Sequence, residues 1–431
     1  MRSLLCILVL LAFGGQALAQ DNSAALSPYD RALQEIETAS ERQATYLNLS
    51  YFDLTELPPE IGDIATLEVL LLNDNSLSTL PAEIGNLTAL RELQLERNNL
   101  RTLPATVGDL SALQEFYLSN NSLSQLPDTI GNLDNLQILD LYQNNLFRLP
   151  TTIGNLMSLN ELRADNNRLT ELPAEIGNLS ALTHLYLTNN SLAMLPDDIG
   201  NLSNLILLNV DGNQMEALPD SLGNLSALSV LGVNHNALTS LPTTLGNLTN
   251  LDMLTISHNA LNSLPSAINS LTNLRLLSAQ NNNLTHLPVE IGALTNLRSL
   301  QLANNQLRAL PQEIGNLSAL CALQLDGNQI NSLPIALSNL TFTPDSFCDM
   351  RGGNGLSVSA NPLLSLPEEV VLGGTDDIRA YLQDQASWYL HRIMIANVVG
   401  FSFLILAVTV FMRAYRQHKR KPKAKREHLT S

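Results

Sequence analysis

No lysine occurs before Lys419 in this 431-residue chain. That removes the amine for Schiff-base chemistry and the phosphate-binding lysine from almost the whole sequence. Cysteine is confined to Cys6, Cys321 and Cys348, with no C-x-x-C pair, so thiolate zinc sites and dithiol redox centres have no carrier. H-E-x-x-H, G-x-S-x-G and G-x-x-x-x-G-K-[ST] are also missing, and no catalytic residue and no cofactor is expected. Aromatic residues make up 4% of the chain, so rings do not fill its core. Positive charge is scarce too: Gln20 to Arg392 holds 14 arginines against 39 acidic residues, an excess of 25 negative charges. Such a surface repels nucleic acid and anionic lipid.

What the chain has instead is a period. A Leu-Pro step recurs every 23 residues from Leu57 to Leu333, and fixed periodicity of this length signals a solenoid. In the stretch Leu80 to Leu100, LPAEIGNLTALRELQLERNNL, Leu93 and Leu95 alternate with Glu92, Gln94 and Glu96. The alternation predicts a short strand with leucines inward and polar residues outward. Asn98 follows where the chain leaves the strand. A buried amide both donates and accepts, so it can satisfy peptide groups of its own turn and of a neighbour. It recurs as Asn75, Asn121, Asn144, Asn167, Asn190, Asn213, Asn236, Asn259, Asn282, Asn305, Asn328 and Asn361, which predicts an internal ladder. Pro104 fixes its φ on the return side, Gly85 is expected to ease a tight bend, and the convex segments are expected to be short 3₁₀ pieces.

The frame L-P-x-x-I-G-N-L-x-x-L-x-x-L-x-L-x-x-N-x-L resembles the 23-residue leucine-rich repeat class of Ras-suppressor and Scribble-type scaffold proteins and of many bacterial repeat proteins. The resemblance covers residues 44–374. It implies an α/β solenoid: a leucine-rich repeat horseshoe with a parallel concave sheet and helical caps at both ends. The segment after Asn361, NPLLSLPEEVVLGGTDDIRAYLQDQ, resembles the closing piece of bacterial arrays. A GTPase domain follows it in some relatives, but the missing phosphate loop implies none here.

The ends divide as follows. Residues 1–19 read as a signal peptide, with Arg2, an apolar run from Leu4 to Phe13, and Ala17-Leu18-Ala19 before Gln20. Residues 20–43 are expected to hold a capping helix begun by Ser27 and Pro28, with Tyr29, Ala32, Leu33 and Ile36 on one face. Between Leu333 and Leu366 the period stretches to 33 residues through the insert TFTPDSFCDMRGGNG. Residues 375–392 are expected to form a C-terminal capping and juxtamembrane helix, with Thr375 as its cap and Ile378, Tyr381 and Leu382 sealing the last repeat. The uncharged stretch 393–412 is expected to be a single transmembrane helix, and 413–431 a basic cytoplasmic tail. Together these imply a single-pass cell-membrane protein with its repeats outside.

Cys321 and Cys348 remain after the leader is removed. Stacking can bring them close enough for a disulfide, and two separate thiols is the alternative. His235 and His258 occupy one position of adjacent repeats, about one strand spacing of ~5 Å apart. Metal binding and plain register both account for that pairing, and no metal site is assigned.

Outward positions of successive strands line up as the concave surface. From the third to the eighth strand the partner-binding candidates are Glu92, Gln94, Glu96, Arg97, Tyr117, Asp140, Tyr142, Glu161, Arg163, Asp165, His184, Tyr186 and Asp211. Tyrosines among charges suit a protein partner, whereas polar residues on a wet surface are the bland alternative. The sequence therefore reads as a non-catalytic membrane-anchored repeat protein, receptor-like or scaffolding, that holds a protein or peptide partner. The alternative is a structural or adhesive surface protein binding glycan or cell wall.

Overall fold

A computed structural model describes residues 26–349 and 353–394. Fourteen three-residue strands form one parallel sheet in strict chain order. They are β1 (Tyr46–Asn48), β2 (Val69–Leu71), β3 (Glu92–Gln94), β4 (Glu115–Tyr117), β5 (Ile138–Asp140), β6 (Glu161–Arg163), β7 (His184–Tyr186), β8 (Leu207–Asn209), β9 (Val230–Gly232), β10 (Met253–Thr255), β11 (Leu276–Ser278), β12 (Ser299–Gln301), β13 (Ala322–Gln324) and β14 (Gly355–Ser357). Each residue pairs with the one 23 positions on, as Leu93 does with Phe116, until β13 pairs with β14 across the insert. The convex side carries five-residue 3₁₀ turns such as Ala82–Asn86 and Thr151–Asn155. Strand, return and turn leucines meet in one continuous core that reaches from Ala32 to Leu382.

The asparagines join one coil to the next. Asn144 Nδ2 donates to Leu118 O of the preceding coil at 2.9 Å and to Leu141 O of its own at 3.2 Å. Its Oδ1 accepts from Leu123 N at 3.0 Å. Every ladder asparagine repeats this arrangement, down to Asn361, which accepts from Ile330 N at 3.0 Å. Buried backbone groups that the short strands leave unpaired are thereby satisfied.

Gly85 has a different reason from the one expected. No positive φ is found there. A Cβ on Gly85 would instead lie 2.5 Å from Thr106 O of the next coil. Close stacking, not a special bend, requires the glycine. The corner residue before each ladder asparagine is the one in left-handed conformation, including Arg97, Gln143, His235 and His258.

Both ends of the leucine core are covered. Helix α1 (Pro28–Glu41) starts at Ser27, whose Oγ accepts from Asp30 N at 3.1 Å, and buries Ala32, Ile36 and Ala39. The insert contributes the short helix α2 (Ser346–Asp349), and α3 (Glu368–Leu372) follows β14. A last helix, α4, runs over 375–394 and buries Ile378 and Leu382. Thr375 does not act as the expected cap. Its Oγ1 accepts from Leu356 N at 2.9 Å, because β14 is an edge strand with no further coil to bond it.

The membrane expectation is corrected. Among the described residues no helix is long and apolar enough to cross a membrane. Helix α4 carries Asp376, Asp377, Arg379, Asp384 and Arg392, so it is a polar helix with one sealing face. The transmembrane helix expected at 393–412, and the single-pass cell-membrane placement built on it, are not supported. Of that stretch only Ile393 and Met394 are described. The leader expected at 1–19 and the basic cytoplasmic tail expected at 413–431 lie outside the described residues.

Candidate functional site: the concave sheet

Each strand offers three outward positions: the residues on either side of its central leucine, and the one after the next buried residue. Over fourteen strands at ~4.8 Å these build three parallel columns roughly 60 Å long. The first column holds Glu92, Glu115, Glu161 and His184, and the second holds Gln94, Tyr117, Asp140, Arg163 and Tyr186. In the third are Glu96, Tyr142, Asp165 and Asp211. Twelve of the thirteen expected residues thus share the face. Arg97 sits at the exposed corner, turned to Asp74 of the preceding coil at 3.3 Å.

Neighbouring columns bond each other. Tyr117 Oη donates to Glu115 at 2.7 Å, and Gln94 Nε2 donates to Glu92 at 2.6 Å. Arg163 pairs with Glu161 and places its guanidinium 5.3 Å from the Tyr186 ring centre. His184 stacks on the same tyrosine, with ring centres 6.2 Å apart. Tyr117 and Tyr186 are therefore held in fixed orientations with little rotamer entropy left to lose on binding.

Burial in the concavity pushes the carboxyls of Glu96, Asp140, Asp165 and Asp211 above the usual carboxylate range. Backbone donors oppose the shift: Thr188 N bonds Asp165 at 2.7 Å and Asn234 N bonds Asp211 at 2.6 Å. Glu96 Oε2 is shielded and has no hydrogen-bond partner among the described residues. Raised carboxyl values in the folded state give stability that is present below the unfolded value of about 4 and lost as pH rises through the folded value. Asp74, held low chiefly by its bond from Asn73, acts oppositely and only on further acidification. The melting temperature is therefore expected to rise slightly as pH falls from 7 towards 5. Asp140→Asn with Asp165→Asn should flatten that slope in calorimetry, and an unchanged slope would refute the assignment.

His235 and His258 stack face to face, with ring centres 4.0 Å apart. Stacked rings hold their lone pairs side by side rather than aiming them at one point, and among the described residues no group of three metal-ligating side chains forms. Burial, then the neighbouring His235, holds His258 below the usual histidine value. A cleft of about 580 Å³ lies away from the sheet, among Asp128, Arg148, Glu171 and Glu175 beside successive Leu-Pro turns.

Two features escaped the sequence reading. The first column turns apolar after His184, through Leu207, Val230, Met253 and Leu276, which reading every 23rd residue would have shown. The insert also folds onto the sheet. Cys321 and Cys348 are joined by a disulfide with their Cα atoms 6.2 Å apart. Arg298 pairs with Asp345, and Ser299 and Ala322 of the first column are 0% and 1% exposed.

A family model described as a leucine-rich repeat region matches residues 39–121, 116–185 and 162–236, and one described as a leucine rich repeat matches 272–330. No curated protein matches the chain. Among solved structures it is similar to a leucine-rich repeat protein of Leptospira interrogans, at 33% identity over 76% of this chain and 93% of that one, with a TM-score of 0.65. An internalin of Listeria monocytogenes is 25% identical over 75% of this chain and 98% of its own, with a TM-score of 0.62. The plant peptide hormone receptor RGFR1, solved in complex with RGF2, is 28% identical over 71% of this chain and 61% of its own, with a TM-score of 0.50. Matching repeats over more than half its length, an unbroken fourteen-strand sheet and these relatives together place this chain in the leucine-rich repeat family.

Proposed function

We propose that the protein is a non-catalytic binder that holds a protein or peptide partner along its concave sheet. The observation that carries this reading is the run from Glu92 to Asp211, where Tyr117, Tyr142 and Tyr186 stand among carboxylates in a continuous surface without a closed pocket. Rigid tyrosines combine large contact area with a polar tip, which suits the centre of an interface. The likeness to a plant receptor solved with its peptide hormone supports the same use of the fold.

In this reading the array proper runs over 44–374 between caps at 20–43 and 375–392. Export of the array is supported by the leader at 1–19 and by the Cys321–Cys348 disulfide, a bond that persists in oxidising compartments. The test is capture of a partner by the wild-type chain and by Tyr117→Ala with Tyr142→Ala, followed by titration of the captured species. At least tenfold weaker binding by the double variant, with an unchanged melting temperature, is expected. Equal affinity would remove the concave reading.

A further inference from the structure

The concave face changes character at β8. Over β3–β7 the columns carry Glu92, Glu96, Glu115, Asp140, Glu161 and Asp165, while Arg97 and Arg163 are already paired with Asp74 and Glu161. Over β8–β10 the first column becomes Leu207, Val230 and Met253, extended at the rim by Ile206, which is 41% exposed, while Leu276 of β11 is buried. Beside this apolar wall the second column drops to Gly232, Thr255 and Ser278. The third column, Asp211, Asn234 and Ser257, forms an opposite polar wall tied by Asn234 Nδ2 to Asp211 at 3.0 Å and to Thr255 at 2.9 Å. A Cβ on Gly232 would meet Asn209 Oδ1 at 3.0 Å and Asp211 Oδ1 at 3.1 Å, so these two polar side chains close over the glycine and a larger residue there would displace them. The groove is closed at its far end. Phe347 of the insert lies 5.1 Å under the Arg275 guanidinium, and its neighbour Cys348 is bonded to Cys321.

Resting on the concave reading, we propose that the partner is an extended peptide segment with a cationic half and an aliphatic half. The cationic side chains face the surplus carboxylates over β3–β7, and the aliphatic ones enter the groove along Leu207, Val230 and Met253. The disulfide-held insert ends the track. Spacing sets the pattern: the two strand intervals from Leu207 to Met253 span ~10 Å, and alternate residues of an extended chain fall ~6.6 Å apart, so the groove takes two aliphatic side chains at i and i+2.

The test uses fluorescence anisotropy with three labelled ten-residue synthetic probes. The first alternates serine with three lysines and then two leucines; the second replaces the leucines by serine; the third replaces the lysines by glutamate. Wild type is expected to bind the first at least tenfold more tightly than the second, and the third not at all. Met253→Asp, and separately Gly232→Val, should erase the preference for leucine and leave the lysine-dependent binding in place. Met253 is partly exposed, so that variant will fold even if Gly232→Val does not. Equal binding of the first two probes, an unaltered preference in Met253→Asp, or no binding of the first probe at millimolar concentration would overturn the proposal. If the groove variants fail this way while Tyr117→Ala with Tyr142→Ala still weakens lysine-dependent binding, the groove assignment alone falls. If the tyrosine variant changes nothing, the concave reading falls with it.

Discussion

Asn190→Ala is expected to destabilise the array by about 3–5 kcal/mol, far more than loss of one surface hydrogen bond. Asn190 is 8% exposed and donates to Ala164 O at 2.9 Å, Leu187 O at 3.1 Å and Thr188 O at 3.4 Å. It also accepts from Leu169 N at 2.9 Å. Alanine leaves Leu169 N without its acceptor, which costs about 1–3 kcal/mol if water cannot reach it, and takes one of two amide donors from Ala164 O and from Leu187 O, about 1 kcal/mol each, while Asn167, Asn213 and Asn166 N still bond those carbonyls and Thr188 O. Because coils contact only their neighbours, a weak joint in the middle should also divide one cooperative unfolding into two. Guanidinium titration followed by far-ultraviolet circular dichroism reads both effects. A single transition displaced by less than 1 kcal/mol would mean that the amide is dispensable.

The second large effect is a wedge. A Cβ on Gly154 would lie 2.4 Å from Glu175 O and 2.7 Å from Glu175 Cβ, and backbone of the next coil cannot rotate away. Gly154→Val should therefore cost about 3 kcal/mol through forced separation of two coils. The chain contains its own control. Asn269, like Ser338 in the last turn, stands where the remaining turns have glycine, and it is exposed, so that joint already tolerates a side chain. Asn269→Gly is expected to change the midpoint little. If Gly154→Val melts like wild type in calorimetry, the stacking explanation for the glycines is wrong.

Much of this architecture could be read from the residues alone, and the reason is redundancy. Each leucine position is stated repeatedly, so the strands, their register and the asparagine ladder follow from one repeat and its period. The insert and the capping faces around Ile36 and Ile378 were legible as departures from that period. What was not legible depends on contacts between coils or on single residues. The glycine requirement comes from the next coil's carbonyl, and the duty of Thr375 comes from β14 having no successor. The apolar groove and its insert wall arise from columns that run across the sequence, so a reading along the chain passes over them. The membrane helix was inferred from hydropathy at 393–412, and the helix described up to 394 carries five charged residues between Asp376 and Arg392.

The ladder also fixes how the molecule meets a pull on its two ends. Load applied there runs through the joints in series, each coil bonded only to those beside it, so the weakest joint yields while the rest stay shut. A released coil of 23 residues lengthens from one ~4.8 Å strand spacing to roughly 80 Å of extended chain. Under tension the protein behaves as a tether that gives way in equal steps.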